Sequence, residues 1–331
     1  VISDDQKAGL WKAKLRALAR DSLGRDQGID HATPWGAALE HDGVWTALIE
    51  VSPERSFGQA LVLAARNNAT SLDVLVNSDA ASVARRAQLF DPSPSVWKVD
   101  GTDLAPAEAA SPQPLVAADL EPHIAQLLDV DGVDVIVEQG VIMGEHRGLE
   151  VARVTGSASE QRLDVGVGAY DQGAFAVMNP ELTPADALAN VVEQVMTHRQ
   201  PGAAPHPINR FARERWVRSV LLDDPAQVGL ASMHVVEPLT ARDGIKDVAP
   251  ASALGKTAHG ERVLVACTVG IDLDAVPAAA DLAELHGADR IMIVLPDRDR
   301  HPLILAVAAQ SRRPITFVTA PEPWASDQPG I

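Results

Sequence analysis

From Ala47 to Val99 short apolar runs alternate with longer segments whose apolar residues recur every three or four positions: ALIEV, SPERSFGQALVLAARNNA, LDVLV, SDAASVARRAQLF and VWKV. That alternation predicts strand, helix, strand, helix, strand. From Val263 to Val318 the order recurs as VLVACTV, GIDLDAVPAAADLAELHGA, RIMIVL, PDRDRHPLILAVAAQSRR and ITFV. VLVACTV and IMIVL are continuously apolar, as expected of parallel strands covered on both faces. The intervening helices carry apolar stripes, Phe57, Leu61, Ala64 and Ala65 in the first segment and Val276, Ala280 and Leu285 in the second. The expected fold class is therefore α/β: two duplicated βαβαβ units with parallel strands, flanking an α+β middle domain, with one sheet shared by both units left open.

The middle reads differently. Residues 105–122, APAEAASPQPLVAADLEP, have the proline and alanine content of a linker. Beyond them a short helix around His123–Leu128 precedes VDVIVEQG, GLEVARVTG and RLDVGVGAYDQGAFAVM, and the helix ADALANVVEQVMTHR follows. Connections this short predict antiparallel or mixed pairing. The expected organisation is an N-terminal helix (1–30), a first βαβαβ unit (31–104), a linker (105–120), the α+β domain (121–200), an Arg-rich helix and connection (201–258) and a second βαβαβ unit (259–331).

Ligands of parallel α/β sheets sit beyond the carboxyl ends of the strands. Those positions are acidic in both units. Glu50, Ser52 and Glu54 follow the first strand, and Ser78 and Asp79 the second; in the other unit the equivalents are Asp272 and Asp274, then LPDRDRHP with Asp297, Asp299 and His301. Helix capping is one use for Ser52, Ser78 or Asp79, Asp274 and Asp299, since each stands where a side-chain oxygen would accept from first-turn amides. The functional alternative gathers Asp272, Asp274, Asp297, Asp299 and His301 around a cation or ligand hydroxyls. Acids rather than glycines fill these loops, which disfavours a phosphate cradle. The sequence Gly255-Lys256-Thr257 is no phosphate loop either, because Pro250 stands where that loop needs glycine.

INRFARERWVRSVLL, residues 208–222, predicts one helix with Ile208, Phe211, Ala212 and Val220 toward a core and Arg210, Arg213 and Arg218 close together on another face. Those arginines would bind a phosphate-bearing ligand or acidic partner, or dock on the protein's own carboxylates. This helix and the lysine-rich N-terminal one are also candidates for assembly into a homo-oligomer.

Composition narrows the classes. A formal net charge of −17 over 331 residues opposes generic nucleic-acid binding. The single cysteine, Cys267, excludes an internal disulfide framework. The start VISDDQKAGL is too charged for a secretory signal, and no apolar run reaches the roughly 18 to 20 residues of a membrane span. The expected location is cytoplasmic, with no membrane partner.

Helix, strands, helix is the coarse order of restriction-endonuclease-like domains, which the middle segment resembles. That resemblance implies a magnesium-dependent phosphodiester hydrolase using Glu138, Glu150 and Asp164, and magnesium would be its cofactor. The expected lysine is missing, since none occurs between Lys98 and Lys246. Arg153 cannot replace it as a neutral base. Through GLEVARV, LDVGVGAYD, HPINRFARERW and CTVGIDLDAVP the chain also resembles a family of uncharacterised actinobacterial proteins, which implies a bacterial origin and assigns no catalytic residue. The leading expectation is a noncatalytic ligand-binding or regulatory protein recognising a small molecule or protein partner through the strand-end edge and the arginines. The hydrolase is the alternative.

Overall fold

The computed structural model describes residues 3–112, 116–117, 119–157, 159–168, 181–240 and 248–324. The fold is mixed α/β. The chain divides into two compact units: Val1–Pro112 with Ile271–Leu285 and Arg300–Ile315, and Gln113–Gly270 with His286–Asp299 and Thr316–Ile331.

The first unit is built on a six-stranded sheet whose spatial order follows the chain: β1 (Ile29–Thr33), β2 (Gly36–His41), β3 (Val44–Ile49), β4 (Ser71–Val76), β5 (Ser95–Asp100) and β6 (Asp103–Pro106). β3, β4 and β5 run parallel, connected through α2 (Pro53–Arg66) and α3 (Ala80–Ala87). This is the expected βαβαβ order. The sheet is not wholly parallel, however: β1, β2 and β3 pair antiparallel, as do β5 and β6. A capping box between Ser3 and Gln6 starts α1 (Asp4–Leu23) and Gly24 in the left-handed region ends it. Its Leu15, Leu18 and Ala19 pack with Ala37, Leu39, Leu48, Leu75 and Val99 of the sheet.

Two further helices, α7 (Ala275–Leu285) and α8 (Pro302–Ala308), pack beside α2. Contact there is close enough that a Cβ on Gly58 would lie 2.0 Å from the Leu273 carbonyl oxygen. Gly58→Ala must therefore push two backbones apart, an overpacking that costs about 1–3 kcal/mol. Gly9→Ala, where a Cβ meets nothing within 4 Å, is the matched control and is expected to be neutral or stabilising. Equal melting temperatures for the two variants would rule out the tight approach.

The second unit holds two sheets. One is fully antiparallel in the order β10-β9-β8-β7: β7 (Asp134–Glu138), β8 (Val141–His146), β9 (Leu149–Thr155) and β10 (Arg162–Val165). The continuation of the strand expected after β10 falls largely outside the described residues. Helices α4 (Pro122–Leu128) and α5 (Pro184–His198) cover one face, Ile124, Leu128, Leu188, Val191 and Val195 packing on Ile142, Leu149, Val151, Leu163 and Val165.

The other sheet has the order β11 (Ser232–Val235), β12 (Ala251–Lys256), β13 (Arg262–Cys267), β14 (Arg290–Leu295), β15 (Ile315–Thr319). β11, β12 and β13 pair antiparallel and β13 pairs β14 parallel. Both terminal segments thus place two antiparallel strands ahead of the βαβαβ order. They lie in separate sheets, so the option of one shared sheet is excluded. Cys267 is fully buried and burial pushes its thiol up to about 12, as befits a core residue.

The helix expected over 208–222 begins later. Pro207–Arg210 forms one 3₁₀ turn, Ala212 takes a φ of 45°, and only Arg213–Asp223 is α-helical, here α6. A buried guanidinium explains the interruption. Arg199 donates to the carbonyl oxygens of Arg147 (2.9 Å), Phe211 (3.0 Å) and Ala212 (2.8 Å), holding 211–212 out of a helical path. Burial lowers its pKa to about 9, against the opposing pull of Glu145 and Glu214. α6 then turns Val217 and Leu221 onto Ala251, Ala253, Val263 and Val265 of the five-stranded sheet.

Candidate functional site

Because residues three apart on a helix share a face, α6 presents Arg215 and Arg218 together. They enter the face of the antiparallel sheet opposite α4 and α5. Arg215 bonds Glu138 and Glu145, each at 2.7 Å, and Arg218 bonds Glu145 at 3.0 Å and approaches Glu138 at 3.8 Å. Glu150 on β9 is held by Arg153 through two bonds of 2.8 Å. Glu138, Glu145 and Glu150 are all buried.

This decides one expectation and overturns another. Of the two uses expected for Arg218, docking on the protein's own carboxylates is the one found: it is 1% exposed and neutralised inside, so it is no part of a ligand-binding surface. Nor do the carboxylates expected to hold magnesium meet at one point. Glu138 lies on edge strand β7 and Asp164 on the opposite edge strand β10, where it accepts from Thr155 (2.9 Å) and Arg162 (3.2 Å). Among the described residues no group of three His, Cys, Asp or Glu side chains could hold a metal ion. Glu145 was missed by sequence reasoning, although the alternation in VIMGEH places it on the face of Met143, and Met143 touches Arg215.

The acidic loops divide between the units, Asp272, Asp274 and His301 in the first and Asp297 and Asp299 in the second. In the first unit the Asp272 side chain accepts from the Asp274 amide at 2.9 Å. Asp274 is buried against Arg86 at 3.3 Å, while Arg86 also meets fully buried Asp281 at 3.2 Å and Arg85 grips Asp281 at 2.7 Å. Burial pushes the Asp274 carboxyl up to about 8; Arg86 opposes that rise, and Asp272 and Glu54 reinforce it. Capping also departs from expectation. Ser52 and Asp79 adopt φ of 43° and 56° with no side-chain cap bond. α8 is capped by His301, whose Nδ1 accepts from Leu303 at 3.2 Å, rather than by Asp299. At the carboxyl ends of β3 and β4, Lys14, Glu50 and Asn77 satisfy one another at 2.8–2.9 Å.

The carboxyl edge of β14 and β15 differs in bringing arginines together with its acids. The Ala320 amide donates to the Leu295 carbonyl at 2.8 Å, so both strands run out at one edge of the second unit. Asp297 and Asp299 lie in the 3₁₀ turn beyond β14. Asp299 accepts from the Gly270 amide at 2.7 Å and lies 3.9 Å from Arg298. Arg298 pairs with Glu322 at 2.5 Å. Over this edge stands the start of α6, with Arg213 stacked 5.1 Å from the centroid of the Trp324 ring and donating to the Asn209 carbonyl at 2.8 Å. Burial, together with repulsion from Arg298 and Arg210, lowers the pKa of Arg213. Arg210 is exposed. Of the predicted basic face, Arg210 and Arg213 therefore remain, joined by Arg298 from the LPDRDRHP loop. Arg298 was missed because its loop reads as acidic; the sign of a site depends on which neighbours are already neutralised.

Comparison with protein-family models, curated proteins and solved structures gave no match for this chain.

Proposed function

We propose that the protein is a noncatalytic binding or regulatory protein that takes a small anionic ligand, of phosphate character, at the carboxyl edge of β14 and β15. The observation that carries this reading is Arg213, held on Trp324 with Arg210 and Arg298 close enough to repel it. Such an arrangement is stabilised when an anion arrives, because planar guanidiniums match phosphate oxygens with paired charge-assisted bonds. Strand-end placement agrees with where parallel sheets hold ligands. The common strand order of the two terminal sheets supports a shared origin for them. A hydrolytic reading has no such support, since its carboxylates are engaged by arginines or by Thr155.

Calorimetric titration with inorganic pyrophosphate tests the site. Loss of one charge-assisted contact costs about 1.5–3 kcal/mol, so Arg213→Ala or Arg298→Ala is expected to weaken binding at least about tenfold. The control is Arg218→Lys, whose side chain is buried elsewhere, and it should bind as the parent does. Absence of binding to the parent protein, or equal binding by all variants, would refute the proposal.

A further inference from the structure

At the amino ends of β4 and β5 the first unit holds a cleft of about 220 Å³. Three stretches bound it: the last turn of α2 with the turn into β4, the Pro92–Pro94 connection into β5, and Gln310 after α8. Its floor is Leu61, Ala64, Leu72 and Pro94, all buried. The space stays open because α2 lines it with the short side chains of Ala64 and Ala65. The walls are also tied together, the Asp91 amide donating to the Gln310 carbonyl at 2.8 Å and the Arg312 amide to the Leu89 carbonyl at 2.9 Å. A preformed cleft spares a ligand the cost of ordering it.

The lining sets the chemistry. No charged side chain lines the cleft, so an ion entering it would shed water without meeting a counter-charge. The polar rim is neutral: the side chains of Asn68, Ser71 and Gln310 bond no other group among the described residues. A primary amide presents a donor and an acceptor side by side in one plane, the pattern that pairs with the amino and ring-nitrogen edge of adenine. An apolar cavity of roughly 150 Å³ holds one benzene, so this larger one has room for two fused rings. We propose that the cleft is a second binding site, independent of the anion site, which takes a neutral planar heterocycle of purine size with an amide-complementary edge.

Calorimetric titration with 9-methyladenine, and with 9-methylpurine, which lacks the amino donor, tests this on the intact chain. The parent is expected to bind both and to prefer 9-methyladenine by about two- to tenfold, the worth of one hydrogen bond. The double variant Asn68→Ala with Gln310→Ala should erase that preference. Ala65→Leu, which fills the cleft from a half-buried position, should lose both ligands, whereas Arg213→Ala leaves them unaffected. If Ala65→Leu melts well below the parent, Ala69→Leu places the same obstruction on the other side of the turn. No binding by the parent, or parent-like binding by a folded leucine variant, would refute the site. A preference that survives loss of both amides would refute the ligand class.

Discussion

Truncation of Glu145 to alanine is expected to lower the free energy of unfolding by about 3–5 kcal/mol, a large share of the roughly 5–15 kcal/mol that holds a typical domain together. Glu145 is 2% exposed and accepts from both Arg215 and Arg218. Without it, two guanidiniums stay away from water and lean on Glu138, which bonds Arg215 at 2.7 Å but lies 3.8 Å from Arg218. The damage comes from that stranded charge more than from the lost attraction. Replacing charge and counter-charge together, as Glu145→Leu with Arg218→Met, is therefore expected to cost less than the single truncation. Urea unfolding of the parent, the single and the double variant checks this. A single-variant loss under about 1 kcal/mol would mean that the pairs are wet and screened like surface ones.

Stability is further expected to decline as pH rises from about 4 to about 8, through Asp274. Its carboxyl is pushed up to about 8 in the fold from an ordinary value of 3.8. In that window the folded chain holds a proton that the unfolded chain has released. The contribution is therefore complete below the unfolded value and disappears as pH climbs through the folded one, with a slope of up to about 1.4 kcal/mol per pH unit. Asp274→Asn cannot titrate and should flatten the profile. Urea midpoints at several pH values would test this, and parallel profiles for parent and variant would count against the assignment.

Much of the architecture was legible. Continuous apolar runs such as VLVACTV and IMIVL became buried β13 and β14, and the periodic stripes became α2 and α7, because burial on two faces or on one leaves its period in the residues themselves. The antiparallel strands ahead of each parallel set were missed. β1 reads Ile29-Asp30-His31-Ala32-Thr33, with no clean alternation to betray it. In the middle domain, short connections implied antiparallel or mixed pairing, and the pairing found is antiparallel.

The candidate site was legible only in outline. That the proposed site would draw on a strand-end loop and on the arginines near residue 210 could be read from position and spacing. Which arginines face out could not: Arg213 and Arg218 stand on one short helix, yet one stacks on Trp324 and the other is sealed against Glu145. Arg86 meets Asp274 across 188 positions of chain, a pairing without any local trace.

The order of amino acids by itself determined where strands and helices form, since backbone hydrogen bonding and the burial of apolar periods are local requirements. Only the tertiary structure decided which charges are consumed and which are left over. A carboxylate and a guanidinium neutralise one another when the fold carries them within a few ångströms, and that distance is set by packing between segments remote in the chain.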